Sequence, residues 1–134
     1  MSNLDKAREL QARTKTFAVQ IIRFYLTLPQ SDGARIIGRQ LLRSGTSVAA
    51  NYRAVCRSKS QSDFISKIGT VVEETDETLL WLELLIEAGL AKKDQAQTMV
   101  AETTELLKFS RSRCSPPKTP TANLNVPFPK SLNH

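Results

Sequence analysis

The chain has 134 residues, of which 19 are Lys or Arg and 13 are Asp or Glu, which gives a formal net charge of +6. This length predicts one domain, large enough to bury about two-thirds of its unfolded surface. The excess of basic over acidic residues favours an anionic partner such as nucleic acid. A net charge of this size is equally consistent with a role in solubility alone.

The first predicted element is a helix over residues 4–28. Its apolar residues recur at three- and four-residue steps and therefore share one face. They are Leu10, Phe17, Ile21, Phe24, Tyr25 and Leu28. Pro29 ends this helix, because the residue before a proline avoids the helical region. Ser31, Asp32 and Gly33 then supply a turn and an N-cap for the next helix.

The second predicted helix, residues 34–59, contains six Lys or Arg and no acidic residue. At about 100° per residue, five of its arginines fall within an arc of roughly 80°. We call these five residues the basic stripe: Arg35, Arg39, Arg43, Arg53 and Arg57.

The same helix has a neutral polar stripe and a seam of small residues. Gly38 and Gly45 lie on the seam, and because glycine inside a helix costs about 1 kcal/mol relative to alanine, we expect the backbone of another helix to come close there. The polar stripe is either a buried hydrogen-bond ladder that sets the helix register or the lining of a groove, and we prefer the ladder. Its members are Gln40, Ser44, Ser47 and Asn51.

The third predicted helix, residues 61–88, has seven acidic residues and one lysine, so its charge opposes that of the second helix. Ser60 and Asp63 form a capping pair at its start, and Gly89 is a natural residue to follow its end. From Leu79 to Ile86, apolar side chains go nearly all the way round the helix. Since one small bundle covers only one side of a helix, this segment predicts a subunit interface.

The fourth predicted helix runs over residues 95–112, with Asp94 as its cap. From residue 113 onward the composition changes to Pro, Ser, Thr and Asn with three basic residues and no acid. We therefore predict an all-α, up-down-up-down four-helix bundle over residues 1–112, which assembles as a homo-oligomer, and a basic, Pro-rich disordered tail over residues 113–134.

Residues for catalysis or metal binding are scarce. The only histidine, His134, is at the end of the tail, which excludes a Ser-His-Asp or Cys-His site within the helical domain. A tetrahedral zinc site and the Glu-x-x-His pairs of a di-iron bundle lack their ligands. We therefore expect no enzymatic activity, no catalytic residue, no metal and no cofactor.

The cysteines and the hydropathy pattern suggest a compartment. Cys56 and Cys114 show no CxxC spacing, so we expect free thiols in a reducing environment. No signal-type N-terminal run and no apolar stretch of about 18 residues is present. We expect a cytoplasmic protein without a membrane partner.

The basic stripe supports two hypotheses. Arginine side chains bind phosphate oxygens in a bidentate way, so the stripe could follow the backbone of RNA or DNA, with the basic tail as a second contact. Alternatively, the arginines pair with the acidic third helix, within or between subunits, and the protein is an interaction scaffold with no direct nucleic-acid contact.

Several segments of residues 10–112 resemble a bacterial family of four-helix-bundle proteins. This family is encoded in intervening sequences of 23S rRNA genes, was once labelled S23 ribosomal proteins, and is related to accessory proteins of diversity-generating retroelements. The resemblance rests on the segments Gln40-Leu41-Leu42-Arg43-Ser44, Ser47-Val48-Ala49-Ala50-Asn51-Tyr52, Asp63-Phe64-Ile65, Glu77-Thr78 and Trp81-Leu82-Glu83-Leu84-Leu85.

The resemblance implies an up-down bundle, a homopentamer with a central channel, and no known enzymatic activity. It also implies nucleic acid and a reverse transcriptase as partners of the retroelement-associated members. The residues it assigns to helix packing and interfaces are Gln40, Arg43, Ser47, Asn51, Glu77 and Trp81. The chain departs from the family after Asn51, where Arg53, Ala54 and Val55 replace the common Ala, Glu and Gly and add positive charge.

Overall fold

The computed structural model describes residues 3–114, with side chains from residue 7 to residue 113. This part of the chain forms four α-helices and contains no strand, which confirms the predicted all-α fold. The helices are α1 (Asn3–Leu26), α2 (Asp32–Val55), α3 (Gln61–Glu87) and α4 (Lys93–Cys114). Residues 115–134 lie outside the described part of the chain, and with them nearly all of the predicted tail and His134.

The helices occupy the corners of a square, in chain order. α2 packs against both α1 and α3, while α4 packs closely on α3 and only lightly on α1. Within the described residues, the backbones of the diagonal pairs, α1 with α3 and α2 with α4, do not come as close as those of neighbouring helices. Short connections make sequential helices antiparallel neighbours, so α1 and α3 run in the same direction.

The core is formed by the inward faces that the helical periodicity predicts. Phe17 and Ile21 of α1, Leu41 of α2 and Leu82 of α3 are fully buried. The core also holds hydroxyl groups, which are all bonded: Oγ1 of Thr78 donates to Oγ of Ser44 at 2.8 Å, across the α2–α3 contact. No buried side-chain polar atom in the described region lacks a hydrogen-bond partner.

The helix starts confirm two predicted caps. Oγ of Ser31 accepts a hydrogen bond from the backbone N–H of Ala34 at 3.3 Å, before α2. Oγ of Ser60 accepts from the N–H of Asp63 at 3.1 Å, before α3. The Asp63 carboxylate accepts from the backbone N–H of Lys59 at 3.0 Å, one residue earlier than a standard capping box.

Asp63 also binds Lys67, one turn further along α3, at 2.8 Å. The Lys67 ammonium, and after it the Lys59 N–H, lower the pKa of the Asp63 carboxyl below its ordinary value. A carboxylate in the first turn of a helix also interacts favourably with the helix dipole. The start of α3 is therefore fixed by a charged group.

Gly89 ends α3 as predicted, with a left-handed φ of 71°. The N–H of Leu90 donates to the carbonyl of Leu85 at 2.8 Å and that of Gly89 to Ile86 at 3.0 Å. These two bonds define a Schellman motif, which satisfies the last carbonyls of the helix.

Several predicted boundaries are corrected. α1 ends at Leu26, two residues before its predicted end, and α2 begins at Asp32, two residues before its predicted start. α4 continues to Cys114, two residues past its predicted end and into the predicted tail.

α2 ends at Val55, four residues before the predicted end, with Cys56 as its C-cap, so Arg57 lies in the following turn and not on the helix. The hydroxyl of Ser58 donates to the carbonyl of Val55 at 2.6 Å and helps to end the helix. α4 begins at Lys93, so Asp94 lies inside its first turn rather than before it.

Candidate nucleic-acid interface

The basic stripe lies on the outward side of α2, between the edges that face α1 and α3. All five arginines are exposed. Between Arg43 and Arg53 the same arc of the helix is occupied by two uncharged residues, Thr46 and Ala50, if each residue turns the helix by about 100°. The stripe is therefore two groups rather than one: three arginines on the first half of α2, and two at its end and in the next turn.

Two of the arginines are paired with carboxylates. Arg35 binds Asp32, one turn before it on α2. Arg43 binds Glu77 of α3 and also Glu74, the latter at 3.4 Å. Only the Arg43 contacts agree with the hypothesis of pairing with the acidic third helix, because Asp32 belongs to α2 itself.

Arg43 is the centre of a small network. Its Nε donates to Oε1 of Gln40 at 3.2 Å, and Nε1 of Trp81 donates to the same Glu77 carboxylate at 3.3 Å. The network joins residues that the family resemblance assigns to packing. It holds the first half of α2 against α3.

The other three arginines have no carboxylate partner among residues 7–113. These are Arg39, Arg53 and Arg57. Their guanidinium groups are exposed and available to an anion from outside the described region.

A groove between α1 and α2 lies beside Arg53. It has a volume of about 320 Å³ and is lined by Gln11 and Lys15 of α1 and by Ala49, Ala50 and Arg53 of α2. The two alanines form an uncharged floor between the lysine and arginine side chains. An anion that entered the groove would meet a cation from each helix.

α1 and the turn after it also approach the two seam glycines of α2 closely. A Cβ atom added to Gly45 would lie 2.8 Å from Cγ2 of Ile21, and one added to Gly38 would lie 2.9 Å from Cδ1 of Leu28. The seam is therefore closely packed, but the prediction of a nearby helix backbone is wrong, because the nearest atoms at both glycines belong to large side chains.

The end of α2 is held against the start of α1. Sγ of Cys56 lies 3.8 Å from the carbonyl oxygen of Ala7. Cys56 is a free cysteine, and its partial burial raises the pKa of the thiol. Burial likewise raises the pKa of Tyr52, one turn earlier, to about 12. Both groups are thus neutral at pH 7, and the nearby positive charge comes from the arginines.

The comparisons with known proteins identify the family. Residues 7–112 match the family described as 23S rRNA-intervening sequence protein. This chain belongs to that family. The match confirms the resemblance and covers almost all of the described residues.

A solved relative has the same fold. The crystal structure of a protein with unknown function from the S23 ribosomal protein family, from Bacteroides thetaiotaomicron VPI-5482, is 33% identical in sequence, with a TM-score of 0.73. The alignment covers 79% of this chain and 98% of that one. No curated protein matches the chain.

In this member of the 23S rRNA-intervening sequence protein family, the polar stripe is not a continuous ladder. Only Ser44 is fully buried, and it bonds to α3 through Thr78. Nδ2 of Asn51 donates to the carbonyl of Ser47 at 2.8 Å within α2, and Gln40 belongs to the Arg43 network. The four side chains do not bond to one another in the described structure.

Sequence reasoning missed the α1 side of the candidate site. Gln11 and Lys15 are four residues apart and lie on one face of α1, which was a readable signal. The prediction considered only cations of α2 and the tail, because periodicity does not show which faces of two helices adjoin.

No group of three or more His, Cys, Asp or Glu side chains within the described residues could hold a metal ion. None of the four helices has both the length and the apolar character needed to cross a bilayer.

Proposed function

We propose that this 23S rRNA-intervening sequence family protein is a non-enzymatic, cytoplasmic homo-oligomer that binds the phosphate backbone of RNA or DNA. The number of copies implied by the resemblance is five. The observation that supports nucleic-acid binding is the set of exposed arginines without a carboxylate partner among the described residues, Arg39, Arg53 and Arg57.

The spacing of these arginines suits a polyanion better than a single small anion. Arg39 and Arg53 are 14 residues apart on α2, which is about 21 Å at ~1.5 Å per residue. This distance corresponds to about six phosphates of one strand at ~3.4 Å each. Lys15, across the groove from Arg53, adds a contact from a second helix. Contacts of this kind position a backbone and carry little sequence information, so we expect weak sequence preference.

Fluorescence anisotropy with labelled oligothymidylate and oligouridylate of equal length tests the proposal. Titrations between about 50 mM and about 200 mM salt give the slope of log affinity against log salt, which is negative. Its magnitude decreases by ~0.7 for each single-strand phosphate contact removed. The double variant Arg53→Gln/Arg57→Gln removes two contacts and should therefore reduce the magnitude of the slope by about 1.4.

A variant of equal net charge provides the control. Arg35→Gln/Arg43→Gln also removes two positive charges, but their carboxylate partners already neutralise both residues, so we expect the slope to stay near that of wild type. Absence of binding at low salt would overturn the proposal. Equal loss of slope in both double variants would overturn the assignment to the unpaired arginines.

One observation favours the scaffold as a second candidate function. The Arg43 network uses a stripe arginine to join α2 to α3, as the pairing hypothesis requires. A scaffold of this kind would bind a protein partner, and the resemblance suggests a reverse transcriptase. The same titration separates the two candidates, since purified protein that binds an oligonucleotide without any partner is not a scaffold alone.

A further inference from the structure

The groove between α1 and α2 has a cation on each wall. Lys15 of α1 and Arg53 of α2 both line it, and both side chains are exposed. Neither forms a salt bridge with a carboxylate among residues 7–113. Two free cations that face each other across a groove are arranged to hold one anionic group between them.

The walls of the groove carry no acidic side chain in the described structure. In the two segments that form them, residues 7–15 and 49–57, the one acidic residue is Glu9. Glu9 lies about 160° round α1 from the groove residue Gln11, at ~100° per residue. It is one turn before Arg13, which binds Glu102 of α4, and so belongs to the other side of α1. A ligand in the groove therefore meets only positive and neutral side chains.

The neutral part of the groove contains one group that is ready to form hydrogen bonds. Ala49 and Ala50 form the floor, and Gln11 lies beside them, half-buried. The backbone carbonyl of Gln11 accepts from the Thr14 hydroxyl at 3.0 Å, whereas its side-chain amide forms no hydrogen bond within residues 7–113. An amide donates and accepts at once, and the edge of a nucleic-acid base offers groups of both kinds.

The cations continue from the groove to the end of the bundle. Sγ of Cys56 lies 3.8 Å from the carbonyl oxygen of Ala7, and the residues that follow these two, Arg57 and Arg8, are both exposed. Arg8 is seven residues before Lys15, or about 10 Å along α1, which corresponds to about three phosphates of one strand. A strand that leaves the groove can therefore follow positive side chains of both helices.

We propose that this groove holds one nucleotide of a single-stranded nucleic acid, with its phosphate between Lys15 and Arg53 and its base on the alanine floor, beside the Gln11 amide. This inference rests on the proposed function and names the form of nucleic acid that the same site selects. The phosphate supplies the anion that the two cations require, and the base supplies a partner for the free amide.

A duplex meets the same cations but does not bring a base to the floor. Its bases are paired and stacked inside, and one of them leaves the stack only at a cost in free energy. In a single strand the bases are free to turn toward the protein, and proteins that bind such strands combine a positive groove with a surface for the bases. Since alanine offers packing without aromatic stacking, the selection comes from one nucleotide rather than from a row of stacked bases.

Fluorescence anisotropy at about 50 mM salt tests the inference with labelled oligothymidylate, alone or annealed to an equal amount of oligoadenylate. Electrostatic attraction alone favours the duplex, because its phosphates are twice as dense along the axis. Tighter binding of the single strand, which we expect from the wild type, therefore requires a contact that the duplex cannot make. Oligouridylate should show the same order, because uracil and thymine present the same pairing edge.

Ala50→Leu fills part of the groove without a change of charge. It should lower the affinity for the single strand about tenfold, which is the effect of losing one hydrogen bond and the packing of one base, and should leave the affinity for the duplex unchanged. Ala101→Leu is the matched control, because Ala101 is an exposed alanine of α4 in the groove on the other side of α1. It should leave both affinities at the wild-type values.

Gln11→Ala tests the base contact separately. It should lower the affinity for the single strand about fivefold through the loss of one hydrogen bond, whereas Gln97→Ala, at an exposed position of α4, should have no effect. Helical content by circular dichroism should be the same in all four variants, because none of the substituted side chains is fully buried.

Two results would overturn the inference and leave backbone binding in place: a wild type that binds the duplex as tightly as the single strand or more tightly, or an Ala50→Leu variant that keeps the wild-type preference. An unchanged affinity in Gln11→Ala would overturn the contact between its amide and the base. Absence of binding to both probes is a different outcome, because it would overturn the proposed function itself.

Discussion

Alanine is expected to destabilise the bundle at Gly45 and to stabilise it at Gly69. Both glycines are in helix interiors, where alanine is favoured by about 1 kcal/mol. A Cβ atom on Gly45 would lie 2.8 Å and 2.9 Å from Cγ2 and Cγ1 of Ile21, whereas a Cβ atom on Gly69 would meet nothing within 4 Å. The two effects have opposite signs because only Gly45 faces another helix.

The size of the effect follows from the neighbouring side chain. Ile21 is fully buried, and the atoms that approach Gly45 are next to its main chain and cannot rotate away. Overpacking of a core costs about 1–3 kcal/mol. With the helix preference of alanine subtracted, Gly45→Ala should lose about 1 kcal/mol, and Gly69→Ala should gain about 1 kcal/mol. Gly38→Ala should fall between them, because the added Cβ would meet the flexible end of Leu28 at 2.9 Å and the edge of the Tyr25 ring at 3.1 Å, slightly farther than the Ile21 atoms at Gly45.

Urea unfolding followed by circular dichroism measures these free energies. All variants must be compared at one protein concentration, since assembly makes apparent stability depend on concentration. The expected separation between Gly45→Ala and Gly69→Ala is about 2 kcal/mol. Equal stabilisation by both substitutions would show that α1 does not pack on Gly45.

Three further effects test other contacts. Asp63→Asn should lower the melting temperature at neutral pH. The difference in melting temperature between wild type and variant should shrink on acidification, because Lys67 lowers the pKa of the Asp63 carboxyl in the folded state. The carboxylate stabilises the fold fully above its ordinary pKa of 3.8, and this stabilisation is lost as the pH falls through the lowered pKa. Arg13→Gln removes the ion pair between α1 and α4 and should cost about 1 kcal/mol by urea unfolding, with faster amide exchange in α4 and a smaller cost in high salt. A double-mutant cycle of Ser44→Ala with Thr78→Val should give a coupling energy of about 1 kcal/mol, and additive losses would contradict the buried hydrogen bond.

The sequence predicted the features that depend on local chemistry. The apolar periodicity located four helices, and Ser31, Ser60 and Gly89 marked helix ends, because each acts through bonds within a few residues of itself. The predicted end of α2 was wrong by four residues, because the usual local signal for a helix end is missing there. No proline or glycine follows Val55, and the helix ends instead with the Ser58 hydroxyl bound to its last carbonyl.

The pairing of individual arginines could not be predicted. Helical periodicity gives the direction in which a side chain points, but an ion pair also requires a carboxylate at the same height on the adjoining edge of the next helix. Arg43 meets that condition with Glu77, whereas Arg39, one turn away on the same face, does not among the described residues. Similarly, the apolar segment from Leu79 to Ile86 was readable from the sequence, but its division into buried and exposed residues required the packed bundle.

The opposite charges of α2 and α3 first suggested that the two helices neutralise each other, and the structure shows why they do so only in part. Glu74 and Glu77 lie on the edge of α3 that adjoins α2, and both bind Arg43. Glu83 and Glu87 lie on exposed positions near the far end of α3, beyond the reach of the arginines at the end of α2. Among residues 7–113, unpaired cations therefore remain on α2 and unpaired anions on α3. An exposed arginine that no carboxylate occupies is the group that phosphate binding requires, so the unpaired arginines of α2, rather than the net charge of the chain, carry the proposed contact.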